Sequence, residues 1–288
     1  LKAFLNMSAL SVLWLAASGC FPQAAPQRPV VAFSLEEAET LSDSLTFLNV
    51  GRLRAGELAG FPDALDRFPN LEQLSLRGQR RCAEVPDAIG RLSRLRVLDL
   101  SETGVRTLPD TFAALSDLRH LYLSGNDLTN LPPAVCRVPA LTYLNLDRNA
   151  LTALPPAVGE LTDLKWMRLN HNRLTALPAE AAAWTQIRRL YLRGNALTEL
   201  PPAVLEMTAL EELDLGDNAI RTLPEAMARL PNLRRVDLDG NPLEALPESI
   251  GEWRSLRLLI LNGTRLSEAE RARVRGAFPD PVKVNIAF

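Results

Sequence analysis

Residues 141–155 read LTYLNLDRNALTALP. The Leu144-x-Leu146 alternation places two side chains on one face of an extended segment, and the spacing of three on either side suits turns. One such stretch decides little. Its recurrence decides the fold. Asn126, Asn149, Asn172, Asn195, Asn218 and Asn241 lie 23 residues apart. Each follows an apolar-x-apolar pair: Leu121/Leu123, Leu144/Leu146, Met167/Leu169, Leu190/Leu192, Leu213/Leu215 and Val236/Leu238. Each precedes a Leu-Pro step: Leu131-Pro132, Leu154-Pro155, Leu177-Pro178, Leu200-Pro201, Leu223-Pro224 and Leu246-Pro247. A fixed period of this length signals stacked structural repeats, none of which can bury its apolar face alone.

The pattern degrades outward. Thr103 stands for the asparagine after Leu100, and Gln79 does so after Leu74 and Leu76, with one extra residue before Val85-Pro86. A weaker copy runs through Leu45, Leu48, Val50 and Leu53, and Leu256, Leu259, Leu261 and Thr264 form the last. That makes ten units, with atypical outer copies as terminal repeats require.

The motif LxxLxLxxNxLxxLP over roughly residues 45–266 resembles the leucine-rich repeat family, whose 23-residue Leu-Pro form is similar to Ras-associated scaffolds and plant Ras-group proteins. The resemblance implies an α/β solenoid, a horseshoe with a concave parallel β-sheet and helical caps. The residues supply physical reasons. Leu-x-Leu sends alternate side chains inward, so stacked strands build a leucine core. The asparagine amide can satisfy backbone groups that the turn leaves unpaired. Proline after leucine suits the start of a short helical turn on the convex side. Trp184 and Trp253 share a repeat position with Leu115, Val138, Leu161, Met207 and Leu230, and so belong to the core.

Caps are expected at both ends. Ser34-Leu35-Glu36-Glu37 opens a helix toward Leu41, and Ser267-Glu268-Ala269-Glu270 opens another through about Ala277. Residues 282–288 alternate apolar and polar and suit a closing edge strand. The domain plan is a signal peptide at 1–19, a flexible linker at 20–33, an N-terminal cap with a degenerate repeat at 34–70, repeats at 71–266 and a C-terminal cap at 267–288. No catalytic or membrane-spanning segment is expected after that cap.

The leader reads as an export signal: Lys2, an apolar run from Ala9 to Ala17, then Ala17-Ser18-Gly19 before Cys20. This order resembles the signal of bacterial lipoproteins, which implies a lipid on Cys20. Ala17 departs from the Leu or Val usual there, and the same residues suit ordinary signal cleavage to a soluble secreted protein. Phe21 after the cysteine favours, by that resemblance, the outer membrane or cell surface of a bacterium. An intracellular scaffold is the alternative if residues 1–31 are a misread start.

Composition narrows the function. The 288 residues carry a formal charge of −2, which gives no general basic field for nucleic acid. About a fifth of the residues are leucine, while there are only three Tyr, two His and three Cys. No phosphate loop, dinucleotide fingerprint or HExxH motif occurs. His120 and His171 lie two repeats apart, roughly 10 Å at strand spacing, and cannot readily share a metal. Ser124 has no triad partners, and Cys82 and Cys136 sit at different phases, which argues against a disulfide. No enzyme, cofactor or metal is expected.

The rare residues fall at positions that face solvent from the concave sheet. His120, Tyr122, Tyr143, Trp166, Arg168, His171, Arg189, Tyr191 and Arg193 gather in the middle repeats. Glu212, Asp214, Asp217, Asp237 and Asp239 follow as an acidic neighbour, with Arg189, Glu212 and Arg235 in one column as a candidate salt ladder. Tyr, Trp and Arg carry interface energy because each buries large area and keeps a polar handle. Two readings fit: a surface that binds a protein or peptide, or exposed strand positions that merely favour aromatics. Carbohydrate ranks lower as a ligand. Calcium on the aspartates ranks lowest, since stacked strands rarely supply its six to eight oxygens.

Overall fold

The computed structural model describes residues 29–51, 65–278 and 284–288. The signal and Cys20 lie outside the described residues. Twelve strands form one sheet in sequence order, with every neighbouring pair parallel. They are β1 (Val31–Ala32), β2 (Phe47–Asn49), β3 (Gln73–Ser75), β4 (Val97–Asp99), β5 (His120–Tyr122) and β6 (Tyr143–Asn145). Then follow β7 (Trp166–Arg168), β8 (Arg189–Tyr191), β9 (Glu212–Asp214), β10 (Arg235–Asp237), β11 (Leu258–Ile260) and β12 (Asn285–Ala287). Strands β2 to β11 are the ten repeats.

Each coil returns through a short helical turn, mostly a five-residue 3-10 segment preceded by proline. Pro178, at φ −66° and ψ 153°, leads into Ala179–Ala183. Its fixed φ sets the chain direction, and its missing N–H falls where a helix start would leave that donor unpaired. The helical side of each coil is wider than the strand side, so the stack curves with the sheet on its concave face.

Register makes the core. Leu98, Leu121, Leu144, Met167, Leu190 and Leu213 form one inward column, and Leu100, Leu123, Leu146, Leu169, Leu192 and Leu215 a second, all at most 1% exposed. Each buried leucine contributes roughly 2 kcal/mol relative to an exposed one. Trp184 is buried among them and donates its indole N–H to the Val158 carbonyl at 2.8 Å. Cys82 and Cys136 are buried, and burial pushes both thiols up to about 11.

The asparagines close the turns. Asn172 donates through Nδ2 to the carbonyl of Leu169 in its own strand (3.0 Å) and of Leu146 in the preceding coil (2.9 Å). Its Oδ1 accepts from the Leu151 amide at 3.1 Å. Asn149, Asn195, Asn218 and Asn241 repeat this set, and Asn126 accepts from the amides of Thr103, Gly104 and Val105. The outer copies keep part of it. Gln79 reaches the Val50 carbonyl, while Thr103 and Thr264 bond the carbonyl three residues back. The residue before this position is left-handed in nine successive repeats. Five of these are glycine, but Glu102, Arg148, His171 and Asp217 adopt φ between 51° and 60° despite their side chains.

Both helical caps form. Helix α1 (Leu35–Leu41) starts with Ser34 accepting from the Glu37 amide. The short α2 (Pro133–Cys136) belongs to a repeat, and α3 (Glu268–Ala277) starts with Ser267 accepting from the Glu270 amide. Glu270 and Arg273 of α3 bind the Leu246 amide and carbonyl, tying the cap to the last complete repeat. Strand β12 closes the sheet within the segment expected to do so. One boundary is corrected: Val31 and Ala32, placed in the 20–33 linker, form β1 and cover the β2 edge. The Val30 carbonyl accepts from the Thr46 and Phe47 amides at 3.0 Å, which recruits these residues.

Replacing Asn172 by Ala should cost about 2–3 kcal/mol in urea unfolding, because two carbonyls and one amide lose partners in a dry turn. Replacing exposed Asn130 by Ala should cost about 0.5 kcal/mol or less. Equal effects would show that the buried amides do not hold the turns.

Candidate functional site

Strands β5 to β8 place their outward residues in two columns. His120, Tyr143, Trp166 and Arg189 pair in register along the first, and Tyr122, Asn145, Arg168 and Tyr191 along the second. The rings touch across strands. Ring centroids lie 5.9 Å apart for His120 and Tyr143, 4.9 Å for Tyr122 and Tyr143, 5.1 Å for Tyr143 and Trp166, and 6.1 Å for Trp166 and Tyr191. The Tyr143–Trp166 planes meet at 83°, the edge-to-face geometry that aromatic quadrupoles favour. Two guanidinium groups sit over this row, Arg189 at 4.7 Å from the Trp166 ring and Arg168 at 5.3 Å from Tyr191.

The cations are themselves anchored. Arg168 pairs with Asp147 at 2.6 Å, and Asp147 also accepts from the Asn170 amide. Burial works against the Arg168 charge, but Asp147, followed by Tyr143 and Tyr191, favours it, and the net effect raises its pKa. Arg189 pairs with Glu212 at 3.1 Å, and the Tyr191 hydroxyl donates to the same carboxylate at 2.8 Å. Burial, then this bond, pushes Tyr191 up to about 12, and burial likewise raises Tyr122 and Tyr143. Burial and then Arg119 lower the His120 pKa. At neutral pH the row is therefore an uncharged aromatic strip held by paired arginines. It offers apolar area and hydroxyl groups, without an activated nucleophile.

The salt ladder is half formed. Arg189 and Glu212 pair as expected, but Arg235 instead approaches Asp237 of its own strand at 3.4 Å. The basic and acidic patches are also not separate. Arg193 lies among the aspartates, bonded to Asp214 (3.3 Å), Asp217 (2.7 Å), Asp237 (2.8 Å) and Asp239 (3.4 Å). Gly216 makes this possible, since a Cβ on it would collide with the guanidinium. His171 departs from the row. It is exposed at the left-handed corner beyond β7, and among the described residues no ring contact joins it to Trp166 or Tyr191.

Asp147 was not singled out by the sequence, yet it fixes Arg168. Its signal was phase, because it shares a repeat position with Arg193 and Asp239. A second omission is the position before each strand, where Arg96, Arg119, Lys165, Arg188, Arg234 and Arg257 recur.

One cation among four carboxylates leaves the acids crowded. Burial first, and then Asp237, hold the Asp214 carboxyl above its ordinary value despite the Gly216 amide and Arg193. Arg193→Ala should raise it further. A carboxyl whose folded pKa exceeds its unfolded one stabilises the fold below the ordinary carboxylate range, near about 4, and loses that contribution as pH rises through the folded value. The variant should therefore be about 2–4 kcal/mol less stable than the wild type near neutral pH and closer to it toward about pH 4. Thermal melts across that range read the difference, and a deficit independent of pH would refute the crowding.

Known proteins resemble the chain in sequence and in fold. A leucine rich repeat family model matches residues 69–128 and 185–243, and a second, for paired leucine rich repeats, matches 116–159. Among curated proteins, no match was found. An internalin from Listeria monocytogenes superposes with a TM-score of 0.69 at 19% identity, over 88% of this chain and 70% of that one. The leucine-rich ectodomain of the Arabidopsis thaliana receptor kinase GASSHO1/SCHENGEN3, solved in complex with Casparian strip integrity factor 2, gives 0.64 at 26% identity. That match covers 86% of this chain and 34% of the ectodomain. A TDR receptor gives 0.59 at 26% identity, over 79% and 44%.

Proposed function

Because the chain belongs to the leucine-rich repeat family, whose domains are typically protein-binding modules, we propose that it is a non-enzymatic module that binds a protein or peptide on its concave sheet. The observation that carries this is the continuous ring contact from His120 through Tyr143 and Trp166 to Tyr191, with Tyr122 against Tyr143. Rings already locked by their neighbours lose little side-chain entropy when a partner covers them, so more of the burial appears as affinity. The plant ectodomain captured with its factor supports a polypeptide ligand for a solenoid of this kind.

The leader supports display on a bacterial envelope. We assign Cys20 as the site of lipid attachment, with 1–19 removed and the membrane contact made by the lipid. Among the described residues no helix is long and apolar enough to cross a membrane.

Immobilised wild-type domain should retain a polypeptide from envelope extracts that Tyr143→Ala/Trp166→Ala/Tyr191→Ala releases, with recovery falling about tenfold or more. Equal recovery would move the site off the aromatic row. Cells fed labelled palmitate should label the wild type and not Cys20→Ala. An unlabelled wild type would remove the anchor.

A further inference from the structure

The residue immediately before each strand belongs to a backbone column with its own hydrogen bonds. The Arg96 carbonyl accepts from the Arg119 amide, Arg119 from Thr142, Thr142 from Lys165, Lys165 from Arg188, Arg188 from Glu211, Glu211 from Arg234, and Arg234 from Arg257. All bonds in this run are 2.7–2.9 Å, so the column is rigid and advances one strand per step, about 4.8 Å. From Arg96 to Arg257 its eight positions carry six cations, one threonine and one glutamate, on a chain whose total charge is −2. The charge is sorted onto one lip of the concave sheet.

Most of that charge is unspent. All six cations are exposed. Arg96 pairs with Glu72 at 3.3 Å, and Arg188 reaches Glu211 only at 3.7 Å. Among the described residues Arg119, Lys165, Arg234 and Arg257 form no ion pair, and Asp117 and Asp163, two residues before Arg119 and Lys165, come within 4 Å of neither. The floor of the sheet differs, since Arg168, Arg189 and Arg193 each hold a carboxylate. The cations also come in adjacent pairs, 96/119, 165/188 and 234/257, each pair displaced from the next by three strands. Three strands span about 14 Å, the reach of about four residues of extended chain.

We propose that this lip is a cationic rail for an acidic polypeptide, which crosses the strands in extended form with carboxylates on the rail and apolar side chains on the aromatic row. The proposal rests on the concave-face reading and adds the chemistry of the partner. Tyr143 and Trp166 begin the strands that follow Thr142 and Lys165, so rail and row run side by side along the same stack. A chain lying on one reaches the other with a single side chain. Complementary charge would speed encounter and fix register, while burial on the rings supplies affinity.

The test uses the intact protein and a fluorescein-labelled peptide of Glu-Glu-Tyr-Ser repeats, with its Gln-Gln-Tyr-Ser counterpart. Anisotropy at low salt should show the Glu peptide bound about tenfold more tightly, with the advantage shrinking as salt rises. Arg119→Ser/Lys165→Ser should bring the Glu peptide to the level of the Gln peptide, whereas Arg229→Ser/Arg254→Ser, an equal charge change on the helical side, should not. Circular dichroism melts check that both variants fold. Tyr143→Ala/Trp166→Ala should weaken both peptides alike. Equal affinity for the two peptides, with both lost in the aromatic variant, overturns the rail and leaves the concave site standing. Loss confined to the rail variant overturns the aromatic site, and with it the path of the peptide along both columns. No binding of the Glu peptide, or stronger binding of dextran sulfate at equal charge, overturns the acidic polypeptide as partner.

Discussion

A coil of 23 residues must turn sharply off its strand while its leucines stay dry, and the turn strands backbone carbonyls and amides where water cannot follow. The buried asparagine resolves this. One carboxamide donates to two carbonyls in consecutive coils and accepts from an amide of the earlier one. Because it bonds across coils, it fixes their relative register, and register then decides everything on the concave face. Residues of equal phase sit on adjacent strands for the length of the stack. Aromatic rings can touch from β5 to β8 only because these side chains cannot slip to the other face.

The same stacking makes charge a problem. Equal-phase residues are one strand apart, so like charges in a column repel over the whole array. The floor of the sheet answers with local pairing, as in Asp147 with Arg168 and Arg193 among four aspartates. The lip does the opposite and leaves most of its cations unmatched. A molecule that neutralises itself in one place and not in another, within one repeat length, has distributed its charge by position more than by amount.

The fold was legible because a period is visible without any knowledge of side-chain direction. Ten repeats, inward leucine columns, both capped helices and the closing strand follow from spacing and helix-start residues. What phase could not supply is where a long side chain reaches. Arg193 and the aspartates read as neighbouring patches of opposite sign, yet Gly216 lets the guanidinium lie across the next coil and merges them. His171 shares the composition of the aromatic patch but stands on a left-handed corner, which carries it away from the sheet. The two residues of β1 are too few to show alternation, and only their bonds to the β2 edge make them a strand. The rail was written in the sequence all along, but exposed arginines attract notice only when their column is known.

The left-handed corners constrain how such a chain can change. Where His171 holds a corner, the next one is Gly194, and a Cβ there would lie 2.6 Å from the imidazole Nδ1. Asp217 stands likewise before Gly240, and Glu102 before Gly125. At these three places a side chain leans over the following coil and needs that corner bare. Arg148, which precedes His171, is the one occupied corner followed by another. Repeats are therefore not interchangeable tiles. Setting the coil of Glu102, His171 or Asp217 ahead of an occupied corner would drive two side chains together, so drift along this ridge is coupled between neighbours.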